Sequence, residues 1–97
     1  MLTITAQKDN DLLTMTLEGR LDTITAPDFQ KRFEEEADGV RSLVLDCTEL
    51  TYVSSAGLRV LLTIRKSLTG DLCLKQVSPT VMEVLEITGF ADILTFE

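Results

Sequence analysis

Apolar and polar residues alternate along the first part of the chain. Leu2, Ile4 and Ala6 are separated by Thr3, Thr5 and Gln7, and Leu13, Met15 and Leu17 by Thr14, Thr16 and Glu18. A period of two is that of a half-buried strand. Lys8-Asp9-Asn10-Asp11 between the two runs has turn chemistry, so the pair reads as an antiparallel hairpin. Gly19 interrupts the alternation, and Arg20 to Ile24 reads as a connection. The period then lengthens. Thr25 suits an N-cap, Pro27 the first helical turn, and Asp28 a variant capping box. Phe29 and Phe33 form an i,i+4 apolar pair, with Lys31, Arg32 and Glu34 to Glu36 on a solvated face. Gly39 reads as the C-cap.

Val40 to Cys47 holds the unbroken apolar run Leu43-Val44-Leu45, the pattern of a central strand buried on both faces. Asp46 to Leu50 then leads out of it. Gly57, Val60, Leu61, Ile64 and Leu68 recur at helical spacing, so a helix is expected from Ala56 to Leu68, closed by Gly70. Leu72, Cys73, Leu74 and Val77 suggest a further strand. Ser78-Pro79 has the signature of an N-cap followed by the first helical residue, with Val81, Val84 and Leu85 as the stripe and Gly89 as the stop. Ile93 to Phe96 would be a last short strand. The order is β-β-α-β-α-β-α-β. Its strand-helix-strand units require right-handed crossovers and parallel strands, and the opening hairpin makes the sheet mixed. The fold class is therefore α/β: one domain over residues 1–97, with a mixed central sheet of about five strands and helices covering at least one face.

Composition narrows the function. With 97 residues and 44% apolar content, the chain can pack one small core. No apolar run approaches the ~20 residues of a membrane-spanning helix, and the N-terminus lacks the pattern of a signal peptide. A cytoplasmic protein is the default expectation. A net charge of −7, with nine Lys and Arg against sixteen Asp and Glu, opposes binding to nucleic acid or to anionic membranes. It suits either simple solubility or a partner with a basic or mixed surface. There is no histidine, which removes Ser-His-Asp and Cys-His catalysis and His-containing metal sites. A serine hydrolase would have to pair Ser55 with a lysine. Lys66 lies about three helical turns away, roughly 16 Å, which is too far. Cys47 and Cys73 form no C-x-x-C pair and read as reduced core residues.

The stretch Tyr52-Val53-Ser54-Ser55-Ala56-Gly57-Leu58 stands out. It puts two hydroxyls where a strand ends and a helix begins. A helix N-terminus has unpaired N–H groups and a partial positive charge, so it tolerates a negative group. One serine can cap the helix while the other accepts phosphate. From the residues alone, Gly57 either permits close packing or lets an enzyme's backbone reach the serine. Asp46 either orients the Ser55 hydroxyl or a loop N–H, or is a turn aspartate. Asp22 is a loop aspartate and Arg59 a solvated helix residue, unless a partner uses them. Tyr52 is either core or rim.

Leu43-Val44-Leu45-Asp46, the serine motif and its continuation Arg59-Val60-Leu61-Leu62 together resemble the STAS domain, and most of all the bacterial anti-sigma factor antagonists. Gly19-Arg20-Leu21-Asp22, Thr25-Ala26-Pro27 and Ile87-Thr88-Gly89-Phe90 match the same family pattern, so the resemblance covers essentially the whole chain. It implies a regulatory binding module with no enzymatic activity, cofactor or metal of its own. The unphosphorylated antagonist would bind an anti-sigma factor that is also a serine kinase, and so free a sigma factor. Phosphorylation would end that binding, and a serine phosphatase would reverse the mark. By the glycine-leucine pair, the accepting serine is Ser55. Ser54 stands where many members have aspartate and is the second candidate. The expected partner surface is Asp22, Thr23, Asp46, Ser54, Ser55, Ala56, Gly57, Leu58 and Arg59. The sequence ends just after the last predicted strand, where many members add a helix, so part of the family's packing or partner surface is expected to be missing. The alternative within the same fold is an accessory subunit of a lipid or anion transport system, with the serine region as a static docking surface.

Overall fold

The computed structural model describes residues 1–97. Five strands form one sheet whose spatial order equals the chain order: β1 (Leu2–Asp9), β2 (Leu12–Leu21), β3 (Ser42–Val53), β4 (Leu72–Lys75) and β5 (Thr95–Phe96). β1 and β2 are the expected antiparallel hairpin, and every later pairing is parallel. The helices are α1 (Ala26–Glu36), α2 (Ser55–Ser67) and α3 (Pro79–Ile87). The parallel strands advance in one direction across the sheet, so right-handed crossovers put all three helices on the same face.

That face carries the core. Leu13, Met15 and Leu17 of β2 are fully buried, as are Leu43 and Cys47 of β3. Leu43 and Leu45 pair with Leu72 and Leu74 on β4. The other face is open. Thr14, Thr16, Val44 and Asp46 are half-exposed there. The central strand is thus not buried on both faces, contrary to its unbroken apolar run. Val44 shares the open side with Thr14 and Cys73, its neighbours in register. Burial raises both thiols. Cys47 is pushed up to about 12, so it is a packing residue with no thiolate at neutral pH.

Two strands are longer than their patterns suggested. β2 continues through Gly19 to Leu21, and β3 runs on from Asp46 to Val53 alongside it. Register shifts occur between Thr16 and Glu18 and between Gly19 and Arg20. They change the burial spacing on β3 from two to three, so Cys47, Leu50 and Val53 face inward. Gly19 has φ +113° and the Met1 carbonyl sits where a Cβ would lie, so glycine is required. Other boundaries move by a few residues. α1 stops at Glu36 and Gly39 lies in the turn beyond; α2 runs from Ser55 to Ser67, short of Gly70; Val77 is outside β4, and β5 starts at Thr95.

Candidate functional site

β2 and β3 both end at the same edge of the sheet, and α1 and α2 both start there. The chain leaves β3 at Val53, and the Ser54 N–H donates to the Leu21 carbonyl at 2.9 Å, tying the start of α2 to the end of β2. Ser54 has extended backbone (φ −93°, ψ 175°) and its hydroxyl accepts the Gly57 N–H at 3.4 Å, so Ser54 is the N-cap. Ser55 is then the first helical residue. It is exposed, and its hydroxyl is free of the capping bond. Sequence alone left open which of the two serines caps the helix; Ser54 does.

Beneath them the helix is seated tightly. A Cβ on Gly57 would lie 2.7 Å from Leu21 Cγ and 3.0 Å from its carbonyl oxygen. Close packing explains this glycine, and its buried position offers nothing to an approaching enzyme. Leu58 is also buried. Gly57 and Leu58, expected on the partner surface, are instead buried beneath the exposed Ser55. Ala56 is half-buried and Arg59 exposed.

A turn at the end of β2 forms the neighbouring wall. Asp22 Oδ1 accepts the N–H groups of Ile24 and Thr25, each at 3.0 Å. The Thr25 N–H holds the Asp22 carboxyl below its ordinary range against a smaller opposing effect of desolvation, with further help from the Ile24 N–H. Thr25 is buried. Its hydroxyl donates to the Arg20 carbonyl at 2.8 Å and accepts the Asp22 N–H at 2.9 Å. It therefore locks the turn instead of capping α1, whose first turn has no side-chain cap. Asp22 is an organiser of the loop that presents Thr23 and Ile24. Ile24 is 82% exposed, an apolar side chain held out beside the serine site. Sequence reading passed over it, although an isoleucine inside the polar run Asp22-Thr23-Ile24-Thr25 was the available signal. Nearby, Arg20 lies over the Tyr52 ring at 4.2 Å and within 3.7 Å of Asp22, which makes Tyr52 a rim residue.

Asp46 does not belong to this site. It lies seven residues upstream of Val53 on β3, about 23 Å along a strand at ~3.3 Å per residue. Its carboxylate accepts the Thr48 hydroxyl at 2.6 Å and the Thr48 N–H at 3.0 Å, and these bonds, the hydroxyl first, lower its pKa. It is an aspartate of the open face, with no hydrogen bond to Ser55.

The family model for the STAS domain matches residues 3–97. The chain belongs to the STAS domain family. BtrV of Bordetella bronchiseptica is 38% identical over 94 residues, covering 93% of this chain and 81% of its own. The anti-sigma-B factor antagonist of Listeria monocytogenes is 32% identical over 93 residues, covering 91% and 81%. Among solved structures, the anti-sigma factor antagonist SpoIIAA in its unphosphorylated form superposes with a TM-score of 0.85 at 18% identity, over 98% of this chain and 88% of that one. The phosphorylated form of SpoIIAA from Bacillus gives 0.75 at 17%, over 98% and 91%. At this identity the structural likeness establishes the fold, a mixed five-stranded sheet with three helices. No helix here is long and apolar enough to cross a membrane.

Proposed function

We propose that this STAS domain is an anti-sigma factor antagonist, switched off by phosphorylation of Ser55. The observation that carries the reading is the division of labour at the start of α2: Ser54 caps the helix, and the Ser55 hydroxyl stands exposed beside it. Relatives named as antagonists support the role.

The physics of the switch is local. Phosphate adds roughly −1.5 to −2 charges. At a helix N-terminus the chain itself recovers ~0.3–1 kcal/mol of that burden through the macrodipole. A partner seated over Ser55 has no such relief and must desolvate a dianion, which costs several kcal/mol when unpaired. A loss of ~4 kcal/mol weakens binding about a thousandfold. No refolding is needed, because charge and bulk at the contact suffice. The partner is an anti-sigma factor with serine kinase activity, which supplies its own ATP and magnesium, and a serine phosphatase restores the hydroxyl.

The test is incubation with the anti-sigma kinase encoded in the same genome and Mg-ATP, followed by mass mapping. Phosphate is expected on Ser55 alone, with a folded Ser55→Ala chain taking up none. Phosphate on Ser54, or none at all, refutes the assignment.

A further inference from the structure

The two edges of the sheet differ. β5 offers two residues, whereas β1 is an edge strand of eight. Its register with β2 is unbroken from Leu2 opposite Gly19 to Asp9 opposite Leu12, and it contains no proline, glycine or bulge. Such an edge keeps a row of unpaired backbone groups, which natural sheets usually blunt. One bond fixes which groups these are. The Arg20 N–H donates to the Met1 carbonyl at 3.2 Å, so the odd-numbered residues of this strand point their N–H and C=O at β2. Leu2, Ile4, Ala6 and Lys8 point theirs outward. One side chain reaches that row: Arg32 Nη1 donates to the Ile4 carbonyl at 3.4 Å, a long bond that a strand N–H at ~2.9 Å would replace.

The packing at this edge is incomplete as well. Leu2, Ile4 and Ala6 lie on the helix-bearing face, packed against the core yet half-exposed. An open cleft beside Leu2 and Ile4 is walled by Asp28, Lys31, Arg32 and Glu35 of α1. On the opposite face Thr3, Thr5 and Gln7 are exposed.

We infer that β1 is a self-association edge, pairing antiparallel with β1 of a second copy about a two-fold axis at Thr5. Outward-facing residues must pair with outward-facing residues, which leaves only alternate registers. Among these, pairing Leu2 with Lys8 and Ile4 with Ala6 of the copy is the one that gives every outward-facing residue a mate. It sets apolar Ile4 against apolar Ala6 twice. Lys8, whose amine already bonds the Asp38 carbonyl, falls at the ends of the ladder. Thr5 then faces Thr5, and Thr3 faces Gln7, so no like charges are opposed.

The helices fit this arrangement. α1 packs on both β1 and β2. Two helices so placed flank a central β1–β1 pair about two strand spacings apart, ~10 Å, which is a helix-packing distance. α1 runs in the direction of β1, since Arg32 reaches Ile4 and Lys8 reaches Asp38. Glu35 therefore lies on the Ala6 side of Arg32. Pairing Ile4 with Ala6 turns Lys31 and Arg32 of each copy toward Glu35 of the other, and Arg32 keeps its 3.8 Å pair with Glu36. Asp28, which shares the cleft with Leu2, turns toward Lys8. The two Ser55 hydroxyls come to lie at opposite ends of the joined sheet, so both stay open to a partner.

Three measurements test it. In sedimentation of the full chain the mass is expected to double as concentration rises. Thr5→Lys, an exposed position where two ammonium groups would meet on the axis, is expected to weaken association at least about tenfold. In hydrogen exchange the amides of Ile4, Ala6 and Lys8 are expected to slow with concentration, and those of Thr3, Thr5 and Gln7, already bonded to β2, to stay as they are. On oxidation Thr5→Cys is expected to cross-link, because opposed residues that exchange no backbone bonds have Cα atoms ~4.5 Å apart, within disulfide reach. Gln7→Cys is not, because its copy lies ~13 Å away along the ladder. The native Cys47 and Cys73 are buried and give no background. A monomer at every concentration, a dimer indifferent to Thr5→Lys, slowed exchange outside this row, or cross-linking of Gln7→Cys in preference to Thr5→Cys overturns the proposal. So does slowed exchange that appears only when an anti-sigma factor is added to a monomeric chain, which would assign the edge to a strand of that partner.

Discussion

Two helices of this molecule start with the same serine cap, and one of the starts carries a second, exposed hydroxyl beside it. Ser54 caps α2 by accepting the Gly57 N–H at 3.4 Å, and Ser78 caps α3 by accepting the Val81 N–H at 3.3 Å. Both capping residues have extended backbone. After Ser78 comes Pro79, which has a fixed φ and nothing to modify. After Ser54 comes Ser55, with a free and exposed hydroxyl. The third helical residue differs too: Val81 fills the core, while Gly57 leaves room for Leu21 to press against α2. The start of α2 also has a wall, the Asp22 turn with Ile24 projecting from it. A capping serine is thus structural in both places, and the hydroxyl next to it is what sets one apart.

The comparison can be broken most sharply by charge. Ser55→Asp is expected to weaken binding of the anti-sigma partner by up to a thousandfold, about 4 kcal/mol. Pro79→Asp, the same position on α3, should leave binding unchanged. Isothermal titration with the same-genome partner separates the two, and equal effects would erase the distinction.

Next in size are opposite volume changes at the third helical residue. Gly57→Ala forces a carbon against Leu21 and is expected to cost about 1–3 kcal/mol. Val81→Ala removes two buried carbons and should cost about 2 kcal/mol. Urea unfolding measures both. A neutral Gly57→Ala would show that α2 can lift from β2 freely.

Smaller still, Ser54→Ala and Ser78→Ala should each lose about 1 kcal/mol. Ser55→Ala should stay within about 0.5 kcal/mol of wild type, because its hydroxyl holds nothing in the fold. A large loss in Ser55→Ala would reverse the roles assigned to the two serines.

The last difference is one of pH. The folded Asp22 carboxyl titrates below its ordinary 3.8, and the first turn of α3 has no acidic residue. A depressed folded value means the carboxylate stabilises the fold above its unfolded pKa of ~3.9, and that this contribution fades as pH falls through the folded value. Asp22→Asn should therefore melt below wild type at pH 7. The gap should close in strong acid, as circular dichroism melts at several pH values would show.

Much of this could be read along the chain. The hairpin, the crossover helices, Pro27 and Pro79 in first turns, and the Ser78 cap follow from local period and capping chemistry. What failed did so where strands pair irregularly. Bulges between β2 and β3 turn the burial spacing at Cys47, Leu50 and Val53 from two to three, so the end of β3 looked like a loop and Asp46 like a strand terminus. That error alone carried Asp46 into the expected site. Thr25 looked like a cap because its type and position fit one, yet its hydroxyl is taken by the Arg20 carbonyl.

The order of elements, the inward faces and the presence of two hydroxyls at the head of α2 are properties of the sequence itself, because each depends on residues within a few positions of one another. Three matters were decided in three dimensions. These were which hydroxyl would cap, how closely Gly57 would approach Leu21, and that the N-termini of α1 and α2 would meet at one end of the sheet. Each depends on the register of β2 against β3 and on the hand of the crossovers, and both join residues too far apart in the chain for any local pattern to record.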